Sequence, residues 1–204
     1  MLRAVIASLL LILVALGNKS SFIAAILAKR YSQWLIYVGA IAALAVITVL
    51  SVVVGKAASV LPQLYIIYYA KIAFFIGFGV KLLYEARQMP ANFCDAIVQE
   101  AADAVKQAEL KSPKQPTHLV VILEAFWLTS LAEWGNLSQI GTIALAASQS
   151  PVGVAIGAIL GQGICTAIAV IGGRLLIGHF KLTLTFARGC LFLLFGVAVL
   201  LQGA

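Results

Sequence analysis

Long apolar runs alternate with short polar joints along this chain, and six of the runs stand out, at 5–28, 35–54, 65–84, 119–147, 152–172 and 182–201. Each is long enough to cross a hydrocarbon core of about 30 Å as a helix. The pattern predicts an all-α integral membrane protein with six transmembrane helices. The first and fourth runs exceed what a span needs, and both carry polar residues near the middle. In the first these are Asn18, Lys19 and Ser20 beside Gly17; in the fourth, Glu133, Asn136, Ser138 and Gln139 beside Gly135. Helices broken or unwound at Gly17 and Gly135 are expected there, because polar groups inside lipid need partners or a water-lined cavity. The basic, apolar opening resembles a signal peptide, but Gly17, Asn18 and Ser20 belong to an internal repeat, which makes the segment part of the fold.

The repeat emerges when the chain is shifted by 118 residues. Gly17 falls on Gly135, Asn18 on Asn136, Ser20 on Ser138, and Leu27 and Ala28 on Leu145 and Ala146. Without a gap the same shift pairs Gly39, Ala40 and Ile41 with Gly157, Ala158 and Ile159, Thr48 with Thr166, and Gly55 with Gly173. A duplicated unit of three helices follows, with residues 1–84 as the first copy and 118–204 as the second. An odd number of spans per copy makes the second enter from the opposite side, giving an inverted repeat with its substrate site where the broken helices meet. Small residues such as Gly39, Ala43, Gly157 and Gly161 let helix backbones approach closely.

Residues 85–117 join the copies. Small apolar residues at Ile97, Ala101, Ala104 and Ala108, with acids and Lys106 between them, predict a short surface helix, followed by a linker rich in Lys, Pro and Gln. Two roles stay open for this joint, a solvated tether and a regulatory lid.

Composition narrows the classes. A chain that is 63% hydrophobic and 10% charged, with a mean hydropathy of +1.07, is not a soluble domain. The net charge of +7 does not indicate nucleic acid, since the basic residues form no patch with interleaved aromatics. They mark the ends of the runs and set topology. With the N-terminus outside, Lys29, Arg30, Arg87, Lys106, Lys111, Lys114, Arg174 and Lys181 fall inside, while Arg3 and Lys56 fall outside. Both termini are therefore expected outside the cytoplasm. Cys94, Cys165 and Cys190 show no paired spacing and read as small hydrophobes. His118 and His179 read as interfacial residues. No nucleophile and base lie at useful spacing in the spans, so an enzyme is not expected.

The polar clusters hold the chemistry. Glu133 and Asn136, three apart, are expected on one helical face with Gln139 nearly in line; Ala15 and Asn18 take the equivalent face of the first run. Oxygen donors from Asn18, Ser20, Glu133, Asn136, Ser138 and Gln139 suit hard cations. Glu124, nine residues before Glu133, reads as a helix-entry or snorkelling acid; Lys71 and Lys81 reach an interface in the same way.

The two clusters resemble the signature motifs of the Golgi, chloroplast and bacterial manganese/calcium–proton exchangers of the Gdt-one type. Those motifs read E-x-G-D-K-T or -S and E-x-G-D-R-S or -T, usually followed by Gln. Gly17, Lys19, Ser20, Glu133, Gly135, Ser138 and Gln139 match, and similarity continues through FIAAILAKRY and QIGTIALAAS. Ala15 and Asn18 depart from the first motif, Asn136 and Leu137 from the second. The full pattern is net negative, whereas Glu133 and Lys19 here cancel, and a neutral site disfavours a bare divalent ion in low dielectric.

The resemblance implies Glu133, Asn18 and Asn136 at the coordinating positions. It implies supporting roles for Ala15, Gly17, Lys19, Ser20, Gly135, Leu137, Ser138 and Gln139. It implies a secondary transporter that exports manganese, with calcium as the alternative, against protons, and whose partners are the lipid bilayer, the divalent cation and the proton. The ion is substrate and no cofactor is expected. The implied location is a bacterial inner membrane, or the thylakoid or plasma membrane of a photosynthetic host. The departures leave two alternatives open. One is a transport-inactive relative with a regulatory or assembly role; the other is a carrier of a monovalent cation or neutral polar solute.

Overall fold

Several polar side chains are buried among apolar ones in this protein, and many large apolar side chains are exposed. The structure, a computed structural model, describes residues 1–13, 19–60, 65–88, 93–110, 117–179, 189–190, 192–194 and 197. Among these residues there are helices and no strands: α1 (Leu2–Leu13), α2 (Lys19–Leu27), α3 (Gln33–Val60), α4 (Tyr65–Gln88), α5 (Phe93–Glu109), α6 (His118–Glu133), α7 (Leu137–Ala146) and α8 (Pro151–His179). Ser8, Ser20, Thr48, Ser51, Thr129, Glu133 and Gln162 are buried, while Val46, Val53, Leu123, Trp127, Ile156 and Leu160 are exposed. Such an exterior suits hydrocarbon, since in water a continuous apolar surface is a liability.

α3 and α8 are long and apolar enough to cross a membrane on their own. α1 with α2, and α6 with α7, fill the first and fourth apolar runs as pairs of short helices. The expected interruption of the fourth run is present between Glu133 and Leu137. That of the first falls on residues 14–18, outside the described residues, with α1 ending before it and α2 starting after it.

Packing crosses between the repeated segments. α3 lies on α6 and α7, α8 lies on α1 and α2, and α3 and α8 touch each other. The contacts need glycine. A Cβ at Gly39 would stand 2.5 Å from the Ile122 carbonyl oxygen of α6. A Cβ at Gly157, its counterpart under the 118-residue shift, would overlap Ser8 and the Val5 carbonyl of α1. Gly55 is similarly pressed against Ile143 and Ala146 of α7. Backbone approach of this kind lets dispersion hold helices together where lipid offers no hydrophobic drive.

α4 packs through Phe75, whose ring lies 5.7 Å from that of Phe192, and through Gly79 against Leu193. Most of the sixth run, 182–201, lies outside the described residues; residues 192–194 within it are helical. The surface helix expected in the joint is present as α5, with a rotated buried stripe. Val98, Ala101 and Val105 are buried, whereas Ala104 and Ala108 are half-buried and the side chain of Ile97 lies outside the described residues. Each valine buries more apolar area than an alanine does. α5 therefore docks on α2 and joins a core with Phe22, Ile23, Val121 and Ala125.

Candidate functional site

The break in the fourth run builds the site. α6 stops at Glu133 because Gly135 adopts the left-handed conformation, φ 75, the usual glycine stop after a helix. The Asn136 N–H closes the turn onto the Glu133 carbonyl at 3.0 Å, and the Asn136 carbonyl accepts the Ile140 N–H as α7 begins. Gln139, at capping-box spacing from Asn136, turns its oxygen back to accept the Gly135 N–H at 2.7 Å. Gln139 thus holds the break together.

Glu133 is 3% exposed, and both of its oxygens accept hydrogen bonds. Ser20, near the start of α2, donates to Oε2 at 2.9 Å. Ser138, in the first turn of α7, donates to Oε1, and the Asn136 amide reaches Oε2 over a longer 3.4 Å. Ser20 of α2 and Ser138 of α7 therefore meet at one carboxylate. A helix N-terminus carries roughly half a positive charge and a C-terminus roughly half a negative one, so the start of α7 favours the charge of Glu133 while the end of α6, whose last residue it is, opposes it.

A cavity of about 30 Å³ adjoins the carboxylate, lined among others by Ser20, Thr129, Glu133, Ser138, Gln162 and Thr166. Thr48 of α3 donates at 2.9 Å to the amide oxygen of Gln162 of α8, which keeps a second lone pair. Cys165 lines the cavity too, with its thiol donating to the Ile12 carbonyl at 3.4 Å. Among the described residues no group of three or more His, Cys, Asp or Glu side chains comes together.

The expected site residues thus divide. Glu133, Ser20, Ser138 and Asn136 come together. Gly135 and Gln139 shape the break. Leu137 opens α7. Ala15, Gly17 and Asn18 lie outside the described residues. Lys19 forms an exposed ion pair with Glu100 of α5 at 2.5 Å, because a long lysine stem carries its charge toward a wetter partner. Asn136 meets Glu133 through the turn; the expected continuous helical face does not exist, since the helix is interrupted between them. Glu124 is half-buried, in a groove it shares with Lys19, Gln107 and Trp127. Thr129, Gln162 and Thr166 were not expected at the site. The available signal was the spacing of four between Thr129 and Glu133, together with the recurrence of Thr48 at Thr166.

A helical protein with many exposed apolar side chains, and with a buried polar cluster around a carboxylate at a helix break, has the construction of a membrane carrier for small ions. Sequence comparison specifies the carrier. The chain belongs to the family described as divalent cation/proton antiporter GDT1, whose model matches residues 4–90 and 121–204. It is 45% identical over 199 residues to the GDT1-like protein sll0615 of Synechocystis sp., covering 97% of this chain and 96% of that one. It is 38% identical to the chloroplastic GDT1-like protein 2 of Oryza sativa subsp. japonica, over 90% of this chain and 56% of the relative. It is 36% identical to the chloroplastic PAM71-homolog of Arabidopsis thaliana, over 90% and 55% respectively. The chain therefore spans just over half the length of these two plant relatives. No solved structure matches it. The family consists of membrane antiporters, which are transporters rather than enzymes.

Proposed function

We propose that this chain exchanges a divalent cation, manganese with calcium as the alternative, against protons and exports it from the cytoplasm. Six spans form an inverted repeat of two three-helix units, residues 1–84 and 118–204, joined by a cytoplasmic segment at 85–117, with both termini outside. Cyanobacterial and chloroplastic relatives support a bacterial inner membrane, or the thylakoid or plasma membrane of a photosynthetic host. The observation that carries the reading is the meeting of Ser20 of α2 and Ser138 of α7 at Glu133, two serines that are counterparts under the 118-residue shift. Glu133 binds the ion and carries the proton, with Asn136 and Asn18 as neutral oxygen ligands. The missing carboxylates at 15, 18 and 136 weaken the site.

One observation favours a second reading, a transport-inactive member of the family. Both oxygens of Glu133 already accept hydroxyl hydrogen bonds, and one buried carboxylate does not balance a divalent ion in low dielectric. Manganese and calcium flux into proteoliposomes under an imposed proton gradient tests both readings. Slow uptake that Glu133→Gln abolishes supports exchange. Uptake unaltered in that variant removes Glu133 from the mechanism, and no uptake by the unaltered chain selects the inactive form.

A further inference from the structure

Thr129 stands one turn before Glu133 on α6, so the two side chains share a face, and both line the cavity. It is 1% exposed, and its hydroxyl oxygen has no hydrogen-bond partner among the described residues. A hydroxyl inside a helix ordinarily donates to the carbonyl one turn back. Ser8, Ser51 and Thr142 do so here, to Ala4, Ile47 and Ser138. Thr129 does not, although leaving a buried hydroxyl without a partner is unfavourable and valine would fill the same volume without that loss.

Gln162 reaches the same cavity from α8 and is 8% exposed. Thr48 fixes its amide through the oxygen. Both residues lie outside the two signature clusters, and the shift of 118 residues places Leu11 and Leu44 at their counterparts. The first unit is apolar at both places where the second carries oxygen.

We infer that Thr129 and Gln162 are ligands of the transported ion and complete, with neutral oxygens, the set that Glu133 begins. The inference rests on the reading of Glu133 as the ion-binding acid. Hydroxyl and amide oxygens select hard cations over soft ones. A cavity of about 30 Å³ has room for a bare ion with one water, so the ion enters largely stripped of its hydration shell.

The test uses the full chain in detergent, with melting followed against manganese chloride and calcium chloride, and flux measured in proteoliposomes. Thr129→Val is expected to melt at or above the unaltered protein without added ion. It is expected to lose most of the ion-induced rise in melting temperature and to need about 10-fold more manganese for half-maximal response, with Thr129→Ser restoring both. Gln162→Leu, which installs the residue found at 44, should lose the response likewise. A Thr129→Val protein with the full ion response, alongside a Glu133→Gln protein without it, overturns the inference, leaves the reading of Glu133 standing and assigns the hydroxyl to a buried water. An unaltered protein that responds to neither ion overturns both.

Discussion

The segments related by the 118-residue shift agree in packing and differ in chemistry. Gly39 of α3 presses onto the backbone of α6 and Gly157 of α8 onto that of α1, and Ser20 and Ser138 each donate to Glu133. Yet opposite Glu133, Thr129 and Gln162 the first unit has Ala15, Leu11 and Leu44. Close packing fails when a single methyl is added where backbones touch, so the scaffold constrains both units alike. A ligand set needs only enough oxygens in total, so it can shift to one side. The pairing of a symmetric frame with a lopsided site is the main lesson of the molecule.

The strongest way to break the asymmetry is to return acids to the first unit and to the turn. The combined variant Ala15→Glu, Asn18→Asp, Asn136→Asp is expected to raise manganese affinity by about 100-fold or more, since ligand charge is the main lever on hard-cation affinity. Isothermal titration of the purified proteins reads this directly, and an unchanged affinity would place the ion elsewhere.

The serines probe the polar pair that remains symmetric. Ser20→Ala and Ser138→Ala each remove one donor to a buried carboxylate, an interaction worth about 1.5–3 kcal/mol. Equal losses in thermal or chemical melts would show that the two helix starts hold Glu133 evenly. A loss confined to Ser138→Ala would mean that α7 alone positions it.

The smallest effect is expected at Lys19 and Glu100, whose side chains are 33% and 63% exposed. Glu100→Gln should cost less than about 1 kcal/mol, and the difference should fade in high salt. A several-fold change in flux with no change in melting would instead make α5 a lid over the α2 side of the site.

Much of this was legible in the residues. A glycine among polar side chains in an apolar run marked the break at Gly135, and the repeat brought Ser20 to the level of Ser138. What was not legible depended on contacts between distant segments. Thr129 and Gln162 lie on helices far apart in sequence, and their place on one cavity follows only from how α6 and α8 are packed. Gln139 was expected among the ion's oxygens, but a broken helix needs its exposed N–H groups satisfied first. The buried stripe of α5 runs through Val98, Ala101 and Val105, whereas the spacing of its alanines pointed to Ala104 and Ala108.

Of the seven acids in the chain, five lie between 85 and 109, and the others are Glu124 and Glu133. Beside the cavity stands Glu133. Under the proposed exchange, a single carboxylate returns one proton for each divalent ion it releases, so every cycle moves one net positive charge across the bilayer. Membrane voltage then acts on the cycle, at about 2.3 kcal/mol per charge for each 100 mV. This chain would then work as an electrogenic device.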